Sequence, residues 1–383
     1  MAMGALAIDL MLPAFSKIRA EYGMAADSAR VGWVITTFFL GLALGPWFFG
    51  PPSDRFGRKP MLYAGLVVYA LGALGAIFAP TYGWLLAARF VWGIGAGAPR
   101  SLSLAMIRDR YEGEQMARLM SMIMATFILV PIVAPSLGAA AMRVTSWRVV
   151  FWIPLGMAAL LAVWARRLPE TLTHDRRRPF TRAGVKEALK AVLGNRTTVC
   201  FAIAIAFLFG VMTGYLSSSE VIVGRVYGHP SWFPYFFGYV AILLGLGALT
   251  SARYVTRVGL LPWIGWLSRA SLVMSAVFAT VVIATHGRPN FWLMTAVLSL
   301  VMPTIQGLVP NCNTAAMAPV PHVAGTASAI TGTVTTAGGA LLGGFLTGQF
   351  DGTLRPFAVG MCIYVSIAFV FITIGRRAYG HTR

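Results

Sequence analysis

The chain has 383 residues, 57% hydrophobic and 11% charged, with 31 Lys/Arg against 12 Asp/Glu and a formal net charge of +19. Soluble domains carry about 25% charged residues, so this composition excludes an ordinary soluble chain, a disordered tail and a disulfide-stapled secreted domain. The cations punctuate long apolar runs, the pattern of an integral membrane protein and not of a nucleic-acid binder.

A membrane-spanning helix needs about 20 mostly apolar residues. In chain order, twelve such stretches are predicted at 2–18, 30–49, 60–79, 82–106, 116–141, 147–167, 198–219, 233–253, 262–285, 291–316, 324–349 and 356–375. Only eight residues precede Asp9, so either the start is trimmed or the numbering begins inside the first helix. That segment lacks the basic n-region and small-residue cleavage site of a signal peptide. One long break carries Arg176, Arg177, Arg178, Arg182, Lys186 and Lys190. Within it Val185, Leu189 and Val192 are spaced for one apolar helix face, which predicts an interfacial amphipathic helix. The expected organisation is all-α: a six-helix bundle over 1–168, a basic linker over 169–197 and a second six-helix bundle over 198–383.

With the N-terminus inside, inner segments hold 21 of the 31 Lys/Arg and outer loops 8, while Arg89 and Arg100 lie within the fourth span. By the positive-inside rule both termini are expected in the cytoplasm. Six spans on each side of a basic loop suggest an internal repeat. Arg55-Phe56-Gly57 after the second span is echoed by Arg257-Val258-Gly259 after the eighth.

Between spans two and three stands Gly50-Pro51-Pro52-Ser53-Asp54-Arg55-Phe56-Gly57-Arg58-Lys59-Pro60. It reads as a tight turn whose glycines permit positive φ and whose Asp54, Arg55 and Arg58 can form charge-assisted bonds to helix ends, a candidate conformational latch. The alternative is a solvated basic loop. The order of Gly50, Asp54, Arg55, Gly57 and Arg58 closely resembles the loop 2–3 signature of the major facilitator superfamily. Leu85, Arg89, Gly93 and Gly95 resemble that superfamily's span-four motif, whose arginine is implicated in proton transfer. Asp9-Leu10-Met11-Leu12-Pro13, Arg108-Asp109-Arg110-Tyr111, Ala134-Pro135-x-x-Gly138 and Ala324-Gly325-Thr326-Ala327-Ser328-Ala329 look like the Bcr/CflA-type branch of the drug:proton antiporters. Trp92 stands where relatives usually have Gln, Ala134 and Ala139 replace glycines, and Arg100 occupies a position expected to be small or apolar. The resemblance implies twelve helices in two pseudo-symmetric bundles, working as a monomer in a cell inner membrane.

Of the twelve acids, only Asp9 lies well inside an apolar stretch. An ionised carboxylate in hydrocarbon costs about 3 kcal/mol even on lenient insertion scales, so Asp9 is expected to face water or a partner, as a proton carrier must. The alternative is an Asp that merely breaks the first span beside Pro13. Arg89 and Arg100, eleven residues apart, differ by about 20° around a helix and share one side. They are candidate cavity residues, against the alternatives of snorkelling for Arg89 and a structural salt bridge for Arg100. Pro131 and Pro135, with Gly138, mark a kink or hinge in span five. Gly339-x-x-x-Gly343 and Gly344-x-x-x-Gly348 suit close packing of span eleven. Gln306, Asn311 and Asn313 flank Pro303 and Pro310 in span ten, as substrate hydrogen-bonders or as interhelical polar contacts.

Cys200, Cys312 and Cys362 read as buried free thiols without metal spacing. No G-x-x-x-x-G-K-[ST] loop, zinc spacing or Ser-His-Asp constellation is found, so neither metal, cofactor nor enzyme activity is expected. The leading reading is a proton-coupled exporter of small amphiphilic compounds that exchanges substrate for protons by alternating access. The alternatives are a proton-coupled transporter of one metabolite, such as an amino acid, and a membrane sensor that no longer transports.

Overall fold

A computed structural model of the chain describes residues 2–111, 113–172 and 182–380. No β-strand occurs among the described residues. The chain divides into two compact units, Met1–Arg182 and Ala183–Arg383. The first contains α1 (Met3–Asp9), α2 (Phe15–Glu21), α3 (Trp33–Phe56), α4 (Arg58–Ile77), α5 (Tyr82–Arg110), α6 (Gly113–Val144) and α7 (Val149–Ala165). The second follows α8 (Arg182–Gly194) with α9 (Arg196–Val221), α10 (Phe233–Val258), α11 (Leu260–Ala284), α12 (Phe291–Met317), α13 (Ala324–Gly348) and α14 (Arg355–Gly380).

Each of the twelve expected stretches coincides with a helix or, in the first, with a broken pair of helices. Eight helices are by themselves long and apolar enough to cross a membrane. The other stretches miss that measure for local reasons. The first is interrupted after Asp9, α5 carries Arg89 and Arg100, and α7 has only 17 residues; Leu129–Val144 of α6 meets it at an angle of 118°. The protein is a multi-pass membrane protein of two helical bundles.

In α8 the buried residues are Ala188 and Val192, spaced i,i+4, whereas Leu189 is exposed. Val192 of the predicted apolar face is buried, Val185 half-buried and Leu189 exposed. Lys186 and Lys190 are exposed. Arg176, Arg177 and Arg178 lie outside the described residues.

The loop expected at 50–60 is almost entirely helical. α3 runs on to Phe56 through Pro46, Pro51 and Pro52, and α4 begins at Arg58. The turn is a single residue, Gly57, at φ 107° and ψ 156°. Gly259 joins α10 to α11 in the same way at φ 90° and ψ 155°. Side chains rarely adopt such φ values, so glycine recurs at the matching point of both units and the sequence echo is also a conformational one. Within the first bundle, α3 and α4 close on α5 through glycines. A Cβ on Gly93 would stand 2.0 Å from the Phe38 carbonyl oxygen, and one on Gly95 2.2 Å from the Tyr69 nitrogen. In the second bundle Gly339 and Gly343 bring α13 onto Phe209 and Thr213 of α9, while Gly348 faces open space.

Candidate functional site

The first span breaks where Asp9 sits. Pro13 has no N–H to offer the Asp9 carbonyl, and the Met11 N–H turns to Ile8 at 3.2 Å instead of Ala7. The chain passes through a 3₁₀ turn, Leu12–Ala14, before resuming as α2. Leu10, Met11 and Leu12 are completely buried, and Gly138 of α6 lies against the break. A Cβ at Gly138 would stand 2.2 Å from the Leu10 carbonyl oxygen, so this glycine permits α6 to touch the backbone beside Asp9. Asp9 is 4% exposed. Among the described residues its carboxylate has no ion pair.

Arg89, fully buried on α5, reaches the same break. Its Nη1 donates to the Ala7 carbonyl at 3.1 Å, the group left without its helical donor, and its Nε donates to the Val34 carbonyl at 3.3 Å. Phe38, Trp92 and Phe151 surround the guanidinium, with ring centroids 4.4, 4.9 and 5.9 Å from Cζ. Such contacts are worth about 2 kcal/mol or more each when desolvated. They and the two carbonyls compensate a charge that no carboxylate neutralises. Its Nη2 is buried without a hydrogen-bond partner, leaving a donor for an incoming group. Trp92, which departs from the pattern of relatives, is thus a wall of the Arg89 enclosure, and Tyr69 meets it edge-on at 5.5 Å.

The other candidates separate. Arg100 shares a helix side with Arg89 yet is exposed. Pro135 and Gly138 are buried and Pro131 is half-buried, all inside a continuous α6. In the second unit Asn311 donates to Ser251 Oγ at 2.8 Å and to the Gly307 carbonyl at 2.6 Å, and Trp263 donates to the same hydroxyl at 2.9 Å. Asn311 therefore ties α12 to α10 and α11, the interhelical contact foreseen as its alternative. Gln306 is half-buried and Asn313 exposed. Within the first unit, Arg89 and Gly138 both meet the helix break that carries Asp9, through Ala7 and Leu10.

A second constellation surrounds the Gly57 turn. Arg58 donates from Nη1 to Asp54 at 2.5 Å and Ser53 Oγ at 2.7 Å, and from Nε to Asp109 at 3.0 Å. Arg58 and Asp109 are only 12% and 16% exposed, so solvent screens this pair less than a surface pair. Arg55 points away, over the Phe56 ring at 5.2 Å, and Gly50 contributes its carbonyl to Ser53 Oγ at 2.6 Å. Glu170, beyond α7, seats its carboxylate on the N-terminus of α4, accepting from the Arg58 and Lys59 N–H groups at 2.9 and 3.0 Å. It also accepts from Thr171 and Leu172. Partial burial pushes the Glu170 carboxyl up, but the four backbone donors outweigh it and hold the group below its ordinary 4.5. A Cβ at Gly57 would lie 2.5 Å from Glu170 Oε2, a carboxylate end that can shift, so it is the positive φ that demands glycine there. Glu170 and Ser53 were missed in the sequence; the available signal was an acid at a Pro169-Glu170-Thr171 turn following a span. Among the described residues no group of His, Cys, Asp or Glu could hold a metal ion.

Residues 1–344 match the family described as the Major Facilitator Superfamily. The chain is 28% identical over 378 residues to a bicyclomycin resistance protein homolog of Haemophilus influenzae, covering 96% of this chain and 92% of that one. It is 30% identical over 387 residues to an uncharacterized MFS-type transporter of Bacillus subtilis, covering 98% and 92%. It is 25% identical over 352 residues to multidrug resistance protein D of Escherichia coli, covering 89% and 84%. A solved bacterial homolog of the human lysosomal transporter Spinster, inward-facing and unoccupied, matches in fold with a TM-score of 0.76 at 15% identity, over 100% of this chain and 96% of that one. These relatives fit the Bcr/CflA-type branch that the motifs resemble. With a family match over most of its length and two helical bundles, the chain belongs to the major facilitator superfamily of transporters.

Proposed function

We propose that this transporter is a proton-coupled multidrug exporter that exchanges small amphiphilic compounds for protons by alternating access. The observation that carries the reading is the Asp9 carboxylate, buried at a helix break without an ion-pair partner. Proton and substrate occupy it in turn, and that mutual exclusion is the simplest linkage for antiport. Arg89 is the positioning cation: it holds the broken backbone through Ala7 and keeps one donor in reserve. Gly138 and the flanking prolines let α6 shift against the break. The Asp54, Arg58, Asp109 and Glu170 network is the latch that favours one state of the first bundle. The relatives named for bicyclomycin and multidrug resistance support this substrate class. The cation distribution supports a bacterial inner membrane location with both termini cytoplasmic. The protein acts as a monomer and as a carrier, not an enzyme.

Proteoliposomes carrying a pH-sensitive dye and a panel of drugs and amino acids test this. Wild type releases protons when drugs are added, and Asp9→Asn inserts and binds detergent normally but releases none. Coupling retained in Asp9→Asn removes Asp9 from the mechanism. Proton release elicited by one metabolite alone replaces multidrug export with a dedicated transporter.

A further inference from the structure

The second unit holds a basic cavity outside the elements assigned to proton coupling above. Leu261 and Arg269 of α11 and Thr373, Arg376 and Arg377 of α14 line a space of about 300 Å³. Arg376 lies flat on α11: a Cβ at Gly265 would be 2.2 Å from its Nη1. Its Nε is buried without a hydrogen-bond partner, and Arg269 is close enough to repel it. Neither α11 nor α14 contains an acid, and the whole of 183–383 has only Glu187, Glu220 and Asp351. Thr373 spends its hydroxyl proton on the Phe369 carbonyl at 2.8 Å, so its oxygen offers no counter-charge. Three guanidinium groups therefore share a cavity with no carboxylate in it. Arg269 stands nine residues into α11, about 13 Å along its axis from Leu260, within a helix long and apolar enough to cross a membrane.

We infer that this cavity binds a phosphate group of net negative charge, either in the headgroup of an anionic lipid or as a free phosphate. Guanidinium forks match phosphate oxygens two at a time, and basic pockets between membrane helices suit anionic lipid headgroups. A bound phosphate relieves the Arg269–Arg376 repulsion. The inference is independent of proton coupling; that the cavity opens toward the cytoplasmic leaflet rests on the orientation proposed above.

The test is binding to purified full-length protein in a neutral detergent, read by native mass spectrometry and by the melting temperature. Short-chain phosphatidylglycerol, short-chain phosphatidylcholine and inorganic phosphate are titrated separately. Phosphatidylglycerol is expected to bind and raise the melting temperature, with a Kd about tenfold weaker or more in Arg376→Gln. Arg269→Gln serves as the second variant if Arg376→Gln does not fold, and Arg253→Gln, at the same end but outside the cavity, is expected to bind as wild type. Saturation by phosphatidylglycerol alone assigns the site to lipid, and equal saturation by inorganic phosphate assigns it to a free anion. Equal binding of phosphatidylcholine, or unchanged phosphatidylglycerol binding in Arg376→Gln and Arg269→Gln, overturns the inference.

Discussion

Arg89 does not pair with a carboxylate; it donates to the backbone carbonyl of Ala7 at 3.1 Å, two residues before Asp9. That bond replaces the one lost when the Met11 N–H turns to Ile8. The cation therefore stabilises the shape of the break, and through it the position of the acid, while its charge is balanced chiefly by three aromatic rings.

This arrangement separates charge from geometry at position 89. Arg89→Lys keeps a cation among the rings but lacks the fork that reaches both Ala7 and Val34. Export is expected to fall at least tenfold, and the melting temperature falls as well, because a buried carbonyl left without its donor costs about 1–3 kcal/mol. Trp92→Ala removes a ring wall and should cost about 3–5 kcal/mol of stability, seen in thermal unfolding of the purified protein. A stable, fully active Trp92→Ala protein means that the ring enclosure is dispensable.

Gly138 makes the second contact on the break. With a Cβ 2.2 Å from the Leu10 oxygen, Gly138→Ala must move α6 or the broken segment, an overpacking cost of about 1–3 kcal/mol. Drug-driven proton release should fall in this variant, whereas Gly156→Ala, in open space on α7, should behave as wild type. Equal effects of the two substitutions place the contact outside the transport cycle.

Glu170 gives the latch a pH dependence of known sign. Its carboxyl is held below 4.5 in the folded protein, so its contribution is present above that value and is lost as pH falls through the lower, folded one. Melting temperature followed downward from pH 6 should decline in wild type below about pH 4.5. In Glu170→Gln the decline due to this group is absent, and the protein is less stable at pH 6. Parallel curves for the two proteins rule out Glu170 as the anchor of the α4 N-terminus.

Arg100 is exposed on the helix side it shares with Arg89, which leaves its guanidinium open to a substrate as well as to water. A cation there should disfavour dicationic drugs relative to neutral or zwitterionic ones. Arg100→Met is expected to improve export of dications severalfold and leave neutral compounds within about twofold. Export of both classes measured side by side decides, and equal changes make Arg100 structural.

The readable part of the site was the part whose chemistry is local. Asp9 stood out because a carboxylate inside an apolar stretch is conspicuous whatever surrounds it, and Gly57 because its neighbours repeat at Gly259. Arg55 was grouped with Arg58 on sequence order, yet the two side chains diverge, one over Phe56 and the other toward Asp109. Val185, Leu189 and Val192 were read as one apolar face of α8, and in the structure Ala188 and Val192 are the buried pair while Leu189 is exposed.

Hydropathy, charge and the φ demanded by single residues were enough, by themselves, to determine the membrane class, the helical stretches, the two-part division and the acid in the first span. Those properties depend on residues close in sequence, and a bilayer imposes length and polarity on each span separately. Tertiary structure alone decided that Arg89 takes Ala7 and three rings, that Glu170 seats on Arg58 and Lys59 more than a hundred positions away, and that Asn311 is occupied by Ser251. Each of these pairings joins residues distant in sequence, and which polar group meets which is settled only when the helices pack against one another.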